Sequence, residues 1–138
     1  MQDIFDYQKP TAQMLGRWQP WHTGHTALFK RALEVTGQVA IMVRDVYNID
    51  GDAGGGRTAK QTDNPFGEIS VVEQIEVNLA NEGYYNGQQY IIICVPNIVD
   101  ISYGRGVGYT FTEHDLGKDI HEISATKIRA QLREEGKL

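Results

Sequence analysis

Two short uninterrupted apolar runs, Val39-Ala40-Ile41-Met42-Val43 and Tyr90-Ile91-Ile92-Ile93-Cys94-Val95, constrain the fold more than any other feature of this chain. Runs of this length without polar alternation suit parallel strands buried on both faces. Segments with helical periodicity lie between and around them. Leu28, Phe29, Ala32 and Leu33 share one face of a predicted helix over 25–35, which Gly37 stops. Val72, Ile75 and Leu79 share a face of a second over 68–82. A short strand over 12–18 precedes both, and Pro96 ends the second apolar run. Ser124 is placed as the N-cap of a last helix whose Ile128 and Leu132 turn inward, with Gly136 as its stop. Strand and helix therefore alternate, which predicts an α/β fold with a mainly parallel sheet and right-handed crossovers. Ile98, Val99 and Ile101 suggest one further extended piece, and 109–114 another.

A chain of 138 residues is one domain. We divide it into an N-terminal extension, 1–11, and a domain body interrupted by a polar stretch, 46–65, that carries Gly51, Gly54, Gly55 and Gly56. A structureless loop of that length is usually functional or mobile, so 46–65 is expected to be a mobile active-site loop. The Gly54-Gly55-Gly56 run reads either as a phosphate-binding lid or as flexible filler. The net charge of −5 disfavours a general nucleic-acid binder. A single cysteine, Cys94, forms no internal disulfide and fits a reducing, cytoplasmic setting. No apolar run approaches the roughly 20 residues of a membrane span.

The chemistry concentrates in Gly16-Arg17-Trp18-Gln19-Pro20-Trp21-His22-Thr23-Gly24-His25. This segment joins the first strand to the first helix, at the carboxyl edge of the predicted sheet, where ligands of such folds bind. A helix N-terminus offers free N–H groups and partial positive charge to a phosphate. Two imidazoles placed there can donate to phosphoryl oxygens, and Gly24 removes a side chain where a ligand approaches the backbone.

A second segment at the other end of the chain, Ile123-Ser124-Ala125-Thr126-Lys127-Ile128-Arg129, pairs with the first. Together His-Thr-Gly-His and Ile-Ser-Ala-Thr-Lys-Ile-Arg resemble the signatures of the HxGH-type nucleotidyltransferase superfamily, the cytidylyltransferase-like enzymes. The lead-in Gly-Arg-Trp-Gln-Pro-Trp and the segment Asn64-Pro65-Phe66 are most similar to archaeal-type nicotinamide mononucleotide adenylyltransferases. An Arg-Thr-x-Gly lead into the second motif, typical of cytidylyltransferases, is replaced here by Asp119-Ile120-His121-Glu122. The resemblance implies a Rossmann-like three-layer sandwich and transfer of a nucleoside monophosphate, AMP from ATP, to a phosphorylated small-molecule acceptor. Nicotinamide mononucleotide is the leading acceptor. Cytidylyl transfer to a phosphorylated alcohol and a non-catalytic nucleotide-binding module are the alternatives.

By the same resemblance, His22, His25 and Arg129 are the catalytic residues. Gly16, Arg17, Trp18, Gln19, Thr23, Gly24, Ser124, Thr126 and Lys127 contact nucleotide or phosphate. Mg²⁺ enters with the triphosphate, without a direct protein ligand, and relatives commonly assemble, so a homo-oligomer is expected. Arg44, Asp45 and Arg105 are candidates for the acceptor, although Arg44 and Asp45 read equally as strand-end residues. Trp18 and Trp21 suit either the core or a pocket wall. His114 and His121 have no partners at metal-ligand spacing and are expected to be structural or exposed.

Overall fold

The computed structural model describes residues 4–47, 51–54, 57–59, 64–105, 108–117 and 125–137. Its main sheet has three parallel strands, β1 (Ala12–Gly16), β2 (Val39–Arg44) and β5 (Tyr90–Val95), in the order β1-β2-β5. Helix α1 (Thr23–Thr36) links β1 to β2, and helix α2 (Glu68–Ala80) precedes β5. A C-terminal helix, α3 (Ala125–Glu134), closes the chain. The α/β class anticipated from the alternation is the one observed.

Register explains the core. Met14, Ile41 and Ile92 are aligned across the sheet, as are Ala12, Val39 and Tyr90. Side chains at matched positions of parallel strands point to the same face. That face receives Phe29 and Ala32 from α1 and Val71, Ile75 and Leu79 from α2, all in one buried cluster. The helical periodicity read from the sequence is thus the contact face, with Val71 more deeply buried than Val72. Gly37 ends α1 in the left-handed region (φ 88°), and its N–H donates to the Leu33 carbonyl at 2.7 Å, a conformation that glycine adopts without steric penalty.

Four expectations need correction. The first strand ends at Gly16, not residue 18, because Trp18 has φ 54° and turns the chain out of the sheet. The second apolar run is not buried on both faces. As β5 it lies at the sheet edge, so Tyr90 is buried while Ile91, Ile92 and Ile93 are half-buried and Cys94 is exposed. The stretch 46–65 contains an antiparallel pair, β3 (Gly51–Gly54) with β4 (Arg57–Ala59). The Gly-Gly pair in the sequence between these strands is a hairpin signal, masked by the lack of apolar alternation around it. Finally, the described parts of 98–101 and 109–114 form no strand; Val99, Ile101, Tyr109 and Phe111 are exposed.

Because β1, β2 and β5 run in parallel, their carboxyl ends share one edge. The loop after Gly16, the N-terminus of α1, Arg44 and the residues after Val95 all gather there. Among the described residues no helix is long and apolar enough to cross a membrane.

Candidate functional site

The loop from Arg17 to Trp21 lies at this edge and is fixed by its own side chains. Trp18 is 6% exposed, and its indole N–H donates to the Met42 carbonyl at 2.9 Å. Trp21 is also buried and donates to Thr26 Oγ1 at 2.9 Å. The two rings meet at 5.1 Å, and both contact the His25 ring, at 4.8 and 5.3 Å. Of the two sequence readings, the structure places both tryptophans in the core, where they wall in His25. Gly16 is required by the same packing. A Cβ there would lie 2.7–2.8 Å from three indole carbons of Trp18.

His22 and His25 cap α1 reciprocally. The Gly24 N–H donates to His22 Nδ1 at 3.0 Å, and the His22 N–H donates to His25 Nδ1 at 3.1 Å. This is a capping box made of imidazoles in place of the usual hydroxyl and carboxylate. The rings stack with centroids 3.6 Å apart. A ring nitrogen that accepts a hydrogen bond carries a lone pair, so in each neutral imidazole the proton resides on Nε2. The cap therefore sets the tautomer and leaves each Nε2–H as the donor. Burial lowers the pKa of both rings, and the neighbouring His22 adds to the fall at His25, which is pushed down to about 3. Both are neutral donors at neutral pH.

Gln19 is the hub of the site. Its Nε2 donates to the Phe66 carbonyl and its Oε1 accepts from the Phe66 N–H, both at 2.9 Å. Its own carbonyl accepts from Arg129 Nη1 at 2.6 Å. The Gln19–Pro20 peptide is cis. Arg129, 4% exposed, is the buried residue of α3, while Ile128 and Leu132 are only half-buried. Residues 110 positions apart thus meet at the turn that carries the histidines. Arg129 Nη2 also lies 3.4 Å from Thr126 Oγ1, which accepts from it.

Arg17 is half-buried and donates from Nη1 to Asn64 Oδ1 at 3.1 Å. Asn64 is fully buried, and its Nδ2 has no hydrogen-bond partner. Arg44, at the end of β2, donates to Asn97 Oδ1 at 2.7 Å. Burial first, and then the Arg17 charge, lower its pKa, so the two guanidiniums feel one another.

The structure thus brings His22, His25, Gln19, Arg17, Trp18 and Arg129 together. Gly24 is buried with its N–H engaged by His22. Thr23 lines a cleft of about 330 Å³ between α1 and α2, beside Thr26, Lys30 and Asn78. Asp45, Arg105, Thr126 and Lys127 are exposed. Ser124 and His121 lie outside the described residues. Sequence reading missed the roles of Asn64 and Phe66 as the frame of Arg17 and Gln19; the Asn-Pro-Phe run was the signal available.

Among the described residues, no three His, Cys, Asp or Glu side chains are grouped so as to hold a metal ion. The donors gathered here are imidazole and guanidinium N–H groups, which suit phosphate oxygens and not a hard cation. The chain matches no model of a known protein family and no curated protein.

Proposed function

We propose that this chain is a nucleotidyltransferase that transfers adenylate from ATP to a phosphorylated small molecule and releases pyrophosphate. One observation carries the reading. The buried Arg129 guanidinium on α3 bonds to the Gln19 carbonyl, in the same turn that presents His22 and His25. The two segments whose residue types suit triphosphate chemistry are therefore in contact, although they stand at opposite ends of the sequence.

The reaction asks for positioning and charge stabilisation more than for a base. An oxygen of the acceptor's phosphate, already ionised, attacks the α-phosphorus in line. The bond from that phosphorus to the α–β bridging oxygen breaks, and pyrophosphate leaves with the electron pair. Preorganised donors aimed at the charge that develops are the main catalytic term in such sites. His22 and His25 donate from Nε2 to non-bridging oxygens of the α-phosphoryl group, their tautomer fixed by the cap. Arg129 neutralises charge on the departing pyrophosphate. Thr126 and Lys127, at the start of α3, add donors to the β- and γ-phosphates, as does Ser124 by the family resemblance. Mg²⁺ supplies charge neutralisation between phosphate oxygens.

The parallel sheet with its crossover helices supports a Rossmann-like architecture; the three-layer sandwich we propose needs a further layer on the sheet face opposite α1 and α2. A cytoplasmic enzyme that assembles into homo-oligomers is consistent with the single cysteine and with the resemblance. Nicotinamide mononucleotide is the leading acceptor on the similarity of the first motif.

The test is pyrophosphate release with Mg²⁺, using ATP, CTP, GTP and UTP against nicotinamide mononucleotide, pantetheine phosphate, glycerol phosphate, phosphocholine and sulfate. Release that depends on ATP and one acceptor supports the reading. Release with CTP alone makes the chain a cytidylyltransferase. Binding of nucleotide without release from any pair makes it a binding module.

A further inference from the structure

We propose that the outer edge of β5 and the apolar side chains that follow it form a two-fold interface between two copies of this chain. The proposal gives the homo-oligomer named above its contact surface, and it does not rest on the transferase reading. It starts from an unguarded edge. β5 ends the sheet order, and among the described residues no strand pairs with its outer side. The loop before it reaches only its first residue, where the Gly87 N–H donates to the Tyr90 carbonyl at 2.7 Å. Monomeric proteins blunt edge strands with lysine, proline or a bulge, because the free N–H and C=O groups of an edge accept another strand. Tyr90-Ile91-Ile92-Ile93-Cys94-Val95 has none of these, and its register with β2 runs unbroken over the whole strand.

The segment after β5 extends this surface. Val99, Ile101 and Tyr103, and then Tyr109 and Phe111, alternate with polar residues or glycine as half-buried strands do, yet they are 54–72% exposed. The Tyr103 and Phe111 rings meet at 5.7 Å, which draws the two groups into one patch. Large aromatic side chains bury about 150–250 Å² each, so these five residues leave roughly 500–600 Å² in water, the upper end of what a monomer exposes in one patch. Placed against its own copy, the patch buries about 1,000–1,200 Å² from the two chains, and the paired strand edges carry the total into the range of a stable dimer.

Charge selects a second copy as the occupant. Two chains of net charge −5 repel one another, so they meet at least cost where neither is charged. No charged residue stands between Glu82 and Asp100, the longest such gap in the chain, and β5 lies within it. Nor is there a Lys or Arg between Lys60 and Arg105, which leaves this edge without the cations that hold an anionic membrane or a nucleic acid. A two-fold axis normal to the sheet sets β5 antiparallel to its copy. Each edge then supplies the donors and acceptors that the other lacks, and the two three-stranded sheets join into one.

Sedimentation equilibrium on the full chain, without ligand, tests this. The expected result is a dimer at about 50 μM chain. Alternate amides of β5, those on its outer side, should gain hydrogen-exchange protection as the concentration is raised through the dimer transition. Cys94→Lys sets like charges against each other at the strand edge, and Phe111→Glu does so in the patch. Both positions are exposed, and circular dichroism confirms that each variant is folded. Each should raise the dimer dissociation constant about tenfold or more. Val35→Glu, at an exposed apolar position on α1, which packs on β1 and β2, should leave it within about twofold. A chain that is monomeric at about 50 μM overturns the interface. So does an assembly that either folded variant leaves intact, or exchange in β5 that ignores concentration. A monomer that releases pyrophosphate overturns the interface and leaves the transferase reading standing; a dimer that releases none with any substrate pair does the reverse.

Discussion

Gly16→Ala should destabilise this protein through one side chain, the indole of Trp18. The added Cβ would lie 2.7 Å from one indole carbon and 2.8 Å from two others, where ordinary contact begins near 3.4 Å. The ring has no free direction in which to yield. Its N–H is tied to the Met42 carbonyl, and it packs on Trp21 and His25. Overpacking of a filled core costs about 1–3 kcal/mol, and loss of the indole hydrogen bond adds about 1 kcal/mol. A loss of about 3 kcal/mol lowers the melting temperature by roughly 10 °C for a chain of this size. The assay is urea unfolding of Gly16→Ala, Trp18→Leu and the double variant. Leucine is too short to supply the three indole carbons that clash. In its background Gly16→Ala should be neutral, or stabilising by up to about 1 kcal/mol through the less flexible unfolded chain. The coupling between the two positions is then about 3 kcal/mol, far beyond the few tenths expected of independent sites. Additive losses would refute the reasoning, because they would mean that the cost at position 16 does not arise from the indole.

Four further outcomes follow from the site. His25 should remain neutral, with its proton on Nε2, down to about pH 3; nitrogen chemical shifts that show an imidazolium at pH 5 would contradict the cap. Since its folded pKa lies below the ordinary 6.5, the unfolded chain binds more protons between those values. Stability should therefore fall as pH drops from 6.5 towards 3, with His22 acting in the same direction, and His25→Ala should flatten that slope in urea titrations at several pH values. Arg129→Met leaves the buried Gln19 carbonyl without its donor, at a cost of about 1–3 kcal/mol; hydrogen exchange over α3 should accelerate, and kcat of any nucleotidyl transfer should fall on the order of 10²-fold. Gln19→Glu replaces a donor to the Phe66 carbonyl by a carboxylate. It should destabilise the fold by about 2 kcal/mol, whereas an unchanged melting temperature would show that the clamp contributes little.

Legibility of the fold tracked the length and regularity of each pattern. Helices α1 and α2 were readable because Phe29, Ala32, Ile75 and Leu79 recur at helical spacing and all face one sheet. Strand β2 was readable because a central strand is apolar at nearly every position. The same kind of run in β5 misled as to burial, since an edge position is a property of the sheet order and not of the strand's own residues. Val99, Ile101, Tyr109 and Phe111 looked extended by composition, yet without a neighbouring strand to complete hydrogen bonds they form no ladder. The histidines were legible as residue types suited to phosphate, Arg17 and Arg129 only through the family resemblance, and the structure draws them to one edge.

The sequence by itself determined the alternation of strand and helix, the end of α1 at Gly37, and the identity of the donors at its start, because these depend on local periodicity and on side-chain chemistry. Only the tertiary structure decided how those donors are presented. The Nδ1 atoms are consumed by backbone N–H groups two and three residues apart, and this selects Nε2 as the protonated donor. Gln19 is spent on the backbone of Phe66, Asn64 on Arg17, and Arg129 on a carbonyl 110 residues away. Each of these pairings links segments distant in the chain. Hydrogen bonds between such segments depend on the packing of sheet and helices that brings them together, so no local pattern of residues encodes them.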